Sequence, residues 1–384
     1  MLLQLYLHFP FCKRKCLYCD FCSGAADAQT VAAYVKALKV EIFTMSEKYK
    51  NARVSTIFLG GGTPTLVPPD VMQSVLEALR DSFDILPDAE FTSEGNPGTV
   101  TEEWLDMAVA HGLNRLSLGV QAMQDPLLQN IGRIHTFADA EHAVKLARKC
   151  GVKNLNLDAM FGLPGQTQQD YLDTLTAFSQ LGAQHISAYS LILEEGTPLH
   201  AMVESGRVTL PDEDDVAEMY ERGIDHLASL GYERYEVSNF ARPGFACRHN
   251  MGYWQGEWYL GMGVAAHSML PPEEDQNAVR IRRANTTDVD AYIKGEFQPE
   301  TELIGAVDAM FETMMLGLRT TFGVSEQLFM RQHGKTLQET YGEVLQSLVR
   351  DGLGEWHGEN ETRRFALTPR GIEVQNDVLM RFMA

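Results

Sequence analysis

The sequence predicts an α/β chain built on a partial (β/α)6 barrel, followed by a loop-rich extension and a C-terminal winged-helix-like module. Three observations carry that expectation. Six short apolar runs alternate with five longer amphipathic stretches in the first half of the chain. Within most of these runs every second residue is polar, which gives a strand two unlike faces. Beyond about residue 302 the pattern becomes helical and ends in a hairpin.

The six predicted strands are Gln4–His8, Ser55–Gly60, Glu90–Glu94, Arg115–Val120, Asn154–Met160 and His185–Leu191. The helices between them are Val31–Lys48, Pro69–Phe83, Glu102–His111, Ala138–Lys149 and Gln168–Gln180. Strand–helix–strand at this spacing implies parallel strands with helical crossovers; a doubly wound open sheet is the alternative. Arg115, Ser117, Gly119 and Gln121 share one strand face, opposite Leu116, Leu118 and Val120. Helices pack on the apolar face, so the polar face points inward. Closed barrels fill their lumen with bulky branched residues. A polar lumen fits an open barrel that holds a polar ligand, or a set of groups that hydrogen-bond one another.

After Leu193 the rhythm changes. Asp212–Leu230 reads as a helix, Tyr232–Leu270 as loop-rich, and Pro271–Gln276 as an acidic loop. Helices at Ile304–Leu316, Ser325–His333 and Leu337–Asp351 precede a hairpin at Leu353–Leu367 and a last helix at Pro369–Met383. This organisation divides the chain at 1–200, 201–300 and 301–384. The final module resembles a winged helix, a fold that often binds DNA. Glu355, Glu359 and Glu361 surround its wing, which points to a structural or lid role instead.

The 384 residues carry a net charge of −20. Broad, sequence-independent binding of nucleic acid needs basic surface to displace counterions, so no nucleic-acid partner is expected. No run reaches the roughly 18 apolar residues that a membrane span needs, so no transmembrane segment is expected. The apolar start MLLQLYLHFPFC has its basic residues behind it and reads as a strand, not a signal peptide. Three of the six cysteines fall within eight residues. In a chain without a secretion signal, such grouping reads as metal binding in a reducing compartment, here the cytoplasm.

Cys12-Lys-Arg-Lys-Cys16-Leu-Tyr-Cys19 follows the first strand. It therefore sits at the C-terminal mouth of any barrel, where active sites form. Three thiolates on one loop ligate three irons of a [4Fe–4S] cubane and leave the fourth iron open. The competing reading is zinc, with Cys22 or His8 as fourth ligand in a closed site. Gly60-Gly61-Gly62-Thr63-Pro64-Thr65 ends the second strand and lets backbone approach a ligand, or makes a tight turn. It lacks the spacing and the lysine of a nucleotide-phosphate loop. Glu94, Gln121 and Asp158 close three further strands at the same mouth, with Arg133 in the loop beyond Gln121. Singly each is an ordinary polar group. Together they form a constellation suited to ribose, adenine and carboxylate. Gly162-Leu163-Pro164-Gly165 reads as structural.

Tyr6-Leu-His-Phe-Pro-Phe-Cys12, with CxxxCxYC, resembles the radical S-adenosylmethionine (SAM) superfamily. More narrowly, the whole chain is similar to the group that contains oxygen-independent coproporphyrinogen III oxidase and the heme chaperone HemW. The resemblance implies that the open iron chelates SAM and that an electron from the reduced cluster cleaves it to methionine and a 5′-deoxyadenosyl radical. It implies a SAM pocket of Glu94, Gln121, Arg133 and Asp158, with Gly61, Gly62 and Thr63 at the amino group and Tyr6 and Tyr18 beside the cluster. An electron donor such as flavodoxin or ferredoxin is the matching partner.

His249-Asn250-Met251-Gly252-Tyr253-Trp254 is the last motif. From its residues alone, a buried structural histidine is favoured over a heme ligand. HNxxYW is the pattern of the chaperones, and the resemblance then implies that His249 binds heme. His267 reads as structural. Two functions stay open. A heme chaperone would bind heme and pass it to apo-proteins. The oxidase would decarboxylate two propionates to vinyl groups. A third possibility, another radical SAM enzyme such as a methyltransferase, has nothing against it in the sequence. The oxidase pattern is CxxxCxxCxC, whereas here position 21 is Phe21 and cysteine comes one place late, as Cys22. The oxidase also carries a longer N-terminal arm. These features and HNxxYW favour the chaperone.

Overall fold

The computed structural model describes residues 1–273, 278–297 and 299–383. Six strands, β1 Leu2–Phe9, β2 Arg53–Gly61, β3 Asp84–Gly95, β4 Arg115–Gln121, β5 Asn154–Phe161 and β6 His185–Ser190, lie parallel and in sequence order. They alternate with helices α1 Ala28–Lys48, α2 Pro69–Ser82, α3 Glu102–Ala110, α4 Asp125–Asn130, α5 Phe137–Lys149 and α6 Gln168–Gln180. Consecutive parallel pairing of this kind is the partial-barrel arrangement, and the doubly wound alternative is set aside.

Local chemistry starts the helices where the strands leave off. Asp27 caps α1 by accepting from Thr30 N at 2.8 Å. Thr136 with Asp139, and Thr167 with Asp170, form reciprocal capping boxes at α5 and α6. Each pair satisfies backbone donors that a helix start leaves open. Leu3, Leu5, Leu7, Leu116, Leu118, Leu155 and Leu157 lie on the outward strand faces and are fully buried under the helices.

The inward face is polar and mostly self-satisfied in its lower part. Asn156 Nδ2 donates to Ser117 Oγ at 2.7 Å. Asn156 Oδ1 accepts from His185 Nδ1 at 2.6 Å, and Tyr235 OH lies 2.8 Å from His185 Nε2. Arg115 is 2% exposed in the same layer. The lower lumen is thus a hydrogen-bonded floor; Gln121 ends β4, Glu94 lies one residue before the end of β3, level with Ser117, and Asp158 lies three residues before the end of β5 rather than closing it as expected.

The segment expected to be loop-rich holds short strands that lengthen both sheet edges. After α7 Pro198–Glu204 and α8 Glu213–Ser229 come β7 Glu233–Arg234, β8 Asn239–Ala241 and α9 Arg248–Trp254. Then follow β9 Tyr259–Met262, β10 His267–Leu270, β11 Arg280–Ala284, α10 Val289–Ile293 and β12 Glu300–Ile304. Among the described residues the sheet has twelve strands, in the order β12-β11-β10-β9-β1-β2-β3-β4-β5-β6-β8-β7. Two to five residues are too few to display an alternation, so these strands were hidden in the sequence. Of the acidic loop Pro271–Gln276, positions 274–276 lie outside the described residues.

The C-terminal module comprises α11 Ala306–Gly317, β13 Val324–Ser325, α12 Glu326–His333, α13 Leu337–Arg350, β14 Gly354–His357 and β15 Arg364–Leu367. It has its own core, centred on Met314, Leu318, Phe329, Leu345, Leu348 and Phe365. Its three-stranded sheet runs β13-β15-β14. Glu355, Glu359 and Glu361 stand exposed on the wing. The expected last helix is two short ones, α14 Pro369–Glu373 and α15 Gln375–Met380, broken at Val374. Arg319, just past α11, holds the module to the sheet extension by an ion pair to Glu236 at 3.5 Å and by stacking 4.7 Å over Trp254. No described helix is long and apolar enough to cross a membrane.

Candidate functional site

The loop after β1 is closed on itself and stapled to its neighbours. Cys12 N donates to Gly24 O at 2.8 Å, and Gly24 N returns to Pro10 O at 2.9 Å. Leu17 N donates to Ile131 O, and an Arg14 guanidinium nitrogen donates to Gly132 O. Cys12, Cys16 and Cys19 are free and half-buried on this loop. Two groups from other loops reach their sulfurs: Thr63 Oγ1, after β2, lies 3.8 Å from Cys12 Sγ, and Arg133, after α4, donates to Cys16 Sγ at 3.5 Å. Burial raises the Cys19 thiol pKa, and the charges of Cys16 and Cys12 push it further up. A cationic metal core would remove that cost at Cys19.

The two candidate fourth ligands for zinc, His8 and Cys22, are engaged elsewhere. His8 is buried, with Tyr6 OH 3.0 Å from Nδ1 and Cys22 O 2.9 Å from Nε2. Cys22 Sγ turns to Thr287 O at 3.4 Å. Among the described residues no three Cys, His, Asp or Glu side chains converge on a single-ion position. By its chemistry alone, three thiols on one loop, the donor set is one that a polynuclear cluster with three protein ligands uses.

The rim residues arrive together. Gly61, at φ +102°, donates its amide to Glu94 Oε2 at 3.1 Å. A Cβ at Gly61 would meet the His8 ring at 2.5 Å, so glycine is required for the close approach of β2 to β1. Gly62 N and Thr63 N donate to Phe9 O and Phe11 O, tying this turn to the cysteine loop. Gln121 has φ +75°, a left-handed backbone on a non-glycine residue at the end of β4. Strain of this kind is characteristic of ligand sites. The Gln121 amide and the Arg133 guanidinium both lie over Gly119, and Arg133 also donates to Gly119 O. Asp158 accepts from Asn156 Nδ2 at 2.6 Å. Tyr18 packs against Leu128, Ile131 and Met160 and feels the charges of Arg133, Cys16 and Asp158. Tyr6 stacks on Phe58, beside Glu94. Burial, then the charge of Asp158, pushes the Glu94 carboxyl up to about 8; burial also raises Asp158. Two carboxyls resisting ionisation beside a guanidinium suit a zwitterionic, ribose-bearing ligand.

His249, the residue that the resemblance links to heme, sits in a hydrogen-bonded setting. It is 1% exposed near the N-terminus of α9, whose first amides are capped by Glu90: His249 N and Arg248 N each donate to that carboxylate at 3.0 Å. Thr56 Oγ1 lies 2.7 Å from its Nδ1, and Tyr253 OH 2.9 Å from its Nε2. The ring stacks on Phe58, and burial, with Arg115 nearby, lowers its pKa to about 3. Both ring nitrogens thus have hydroxyl partners. The histidine locks α9 onto β2 and positions Tyr253 and Trp254.

Those two aromatics line a cavity of about 570 Å3 that opens beside the mouth, reaching Tyr6, Gly61 and Glu94 on one side. Its far wall was not found from the sequence. Tyr259, His267 and Arg282 come from the unseen edge strands, and Met315 and Leu316 come from α11. The one signal available was His267 immediately after the glycine-containing turn.

Residues 6–178 match the family model of the Radical SAM superfamily, and residues 306–374 match the HemN C-terminal domain. The chain is 35% identical to the heme chaperone HemW of Bacillus subtilis, over 98% of each chain. It is 36% identical to the heme chaperone HemW of Escherichia coli, over 82% of this chain and 81% of that one. It is 34% identical to radical S-adenosyl methionine domain-containing protein 1, mitochondrial, of Mus musculus, over 91% and 81%. The fold is that of the coproporphyrinogen III oxidase HemN from Escherichia coli, with a TM-score of 0.81 at 23% identity over 99% of this chain and 89% of that one. The superfamily carries with it a [4Fe–4S] cluster and SAM. The chain belongs to the radical SAM superfamily and, within it, to the family of the heme chaperone HemW proteins.

Proposed function

We propose that this chain is a heme chaperone that holds a [4Fe–4S] cluster on Cys12, Cys16 and Cys19, binds SAM beside it, and passes heme to apo-proteins. The observation that carries the reading is the cavity of about 570 Å3 lined by Tyr253, Trp254 and Tyr259 at the edge of the mouth. Its volume is that of a small-molecule site, and aromatic walls suit a flat macrocycle. Full-length identity to proteins called heme chaperones supports the same reading.

Each residue has a stated part. Glu94, held by the Gly61 amide, receives the cationic end of SAM, and Gly62 and Thr63 keep the backbone close there. Gln121, Arg133 and Asp158 form the opposite rim for ribose, adenine and carboxylate, with Tyr6 and Tyr18 as its floor. Arg133 steadies the charge at Cys16 as well. When bound, the cluster supplies one electron at a time, drawn from a flavodoxin- or ferredoxin-type donor. The cytoplasm is the proposed compartment.

The second reading is oxygen-independent coproporphyrinogen III oxidase, favoured by the HemN-like fold and the complete SAM rim. Reconstituted protein is incubated anaerobically with SAM, reductant and coproporphyrinogen III, and in parallel heme-loaded protein is mixed with an apo-cytochrome. The chaperone account expects heme transfer and no protoporphyrinogen. Turnover to protoporphyrinogen would make the oxidase the function.

A further inference from the structure

We propose that Arg280 and Arg282, on one face of β11, are the carboxylate receptor of the cavity beside the SAM rim, and that the ligand seated there is read by a propionate side chain. The proposal rests on the heme reading above and names the group of heme that the site recognises. Of the described residues that line the cavity, these two alone carry a guanidinium or ammonium group. They flank Ile281 along the strand, so both side chains leave the same face. Their surroundings differ. Arg282 is a third exposed and is paired twice, with exposed Glu302 at 2.7 Å and with Glu312 on α11. Arg280 is buried, its side chain 5% exposed. Among the described residues it makes a single side-chain hydrogen bond, from Nη2 to Thr313 Oγ1 at 3.1 Å.

Arg280 is short of negative charge. Its Nη1 lies 3.9 Å from Glu312 Oε2, beyond hydrogen-bond reach, and that oxygen has no hydrogen-bond partner among the described residues. Glu312 is committed to Arg282 through its other oxygen. One carboxylate is therefore shared by two guanidiniums. Burial lowers the Arg280 pKa; Glu312 opposes that, and Arg282 adds to it. His333 shares the Thr313 hydroxyl at 2.9 Å and brings no counter-charge, its own pKa lowered to about 4 by burial and by Arg280. The other carboxyls at the cavity are Glu94 and Glu257; burial raises the pKa of both, and neither pairs with Arg280. A buried cation without a full counter-charge is costly, and a ligand carboxylate removes that cost. The planar guanidinium also matches a carboxylate through two parallel N–H donors.

This polar end adjoins an aromatic wall. Tyr253 and Tyr259 meet edge to face at 4.7 Å, and the Tyr259 hydroxyl feels the charges of Arg282 and Glu312. Gly256, just past α9 at φ +68°, stands over the other guanidinium: a Cβ there would lie 3.5 Å from Arg280 Nη2. A residue without a side chain leaves that face of Arg280 uncovered. Met269 and Met315 add polarizable thioether surface. Flat apolar walls that end on two guanidiniums suit an amphipathic macrocycle with its acid groups along one edge. A porphyrin with free propionates has that form. The recognition concerns the edge of the macrocycle and leaves the iron's ligand as it is.

The test compares heme with its dimethyl ester, in which both propionates are capped, each titrated into the full chain from the same detergent micelles. Wild-type protein is expected to bind heme about tenfold or more tightly than the ester. Arg282→Gln and Arg280→Gln are each expected to bind heme about tenfold more weakly and the ester within about twofold of wild type, so that the preference for the free acid disappears. The Soret maximum of bound heme is expected to stay in place in both variants. Circular dichroism checks folding. Arg282 is partly exposed, so if the buried Arg280→Gln does not fold, Arg282→Gln and the wild-type comparison decide. Equal affinity of the wild type for heme and ester overturns the proposal and leaves the chaperone reading standing. Arg282→Gln that keeps the preference, or that weakens both ligands alike, overturns it too. Wild-type protein that binds neither ligand overturns the chaperone reading itself.

Discussion

Glu94 and His249 both titrate far from their ordinary range, and they act in opposite directions. Glu94 rises to about 8 in the folded chain from an unperturbed 4.5. The folded state therefore keeps a proton that the unfolded state has lost between those values. That contribution to stability is full at acid pH and disappears as pH rises through about 8. Without SAM, the melting temperature is expected to fall between pH 6 and 8.5, and Glu94→Gln is expected to flatten that slope; an unchanged slope would place the carboxyl elsewhere. His249 falls to about 3 from 6.5. Its contribution is full above pH 6.5 and is lost as pH falls, reaching about 3 kcal/mol near pH 4. His249→Ala is expected to cost about 2–4 kcal/mol in urea unfolding, from the cavity and the orphaned Thr56 and Tyr253 hydroxyls. It is expected to displace the Soret maximum of bound heme, and an unchanged maximum would remove His249 as a ligand. The motif was legible in the sequence but its role was not. A histidine beside Tyr and Trp reads the same whatever partners its ring has, and one of these, Thr56, lies 193 positions away.

Elements differ in how plainly they announce themselves. The six barrel strands were legible because each has six or more residues, and the helices between them carry clean amphipathic patterns. The residues at their C-terminal ends were legible for the same reason: once strand order is known, Glu94, Gln121 and Asp158 must share a rim. The edge strands were not legible. β9 and β10 have four residues each, and β9 is set beside β1 by the buried Glu41–Tyr34–Asn285 clamp, which no local pattern encodes. Two element-level outcomes follow from these contacts. Gly61→Ala places a methyl group against the His8 ring at a positive φ, and it is expected to lower the melting temperature and the iron content together. Glu41→Ala is expected to loosen the β9–β10 turn, read as faster amide exchange at Gly263–Ala266, while iron content stays at the wild-type level. Loss of iron in that variant would show that the clamp supports the cysteine loop instead.

For the molecule as a whole, the sheet carries the cysteine loop after β1 and a cavity beside it, to which the C-terminal module contributes Met315 and Leu316. Arg319 bridges that module to Glu236 and Trp254, so Arg319→Ala is expected to speed heme dissociation by several-fold in stopped-flow transfer, with SAM affinity unchanged. All of this hangs on the loop after β1. The most direct measurement is iron, sulfide and zinc content after anaerobic reconstitution, compared across single cysteine variants. The account predicts about four iron and four sulfide per chain, no zinc, loss of both in Cys12→Ala, Cys16→Ala and Cys19→Ala, and retention in Cys22→Ala. One zinc per chain, or a cluster that survives loss of Cys16 but not of Cys22, would contradict it.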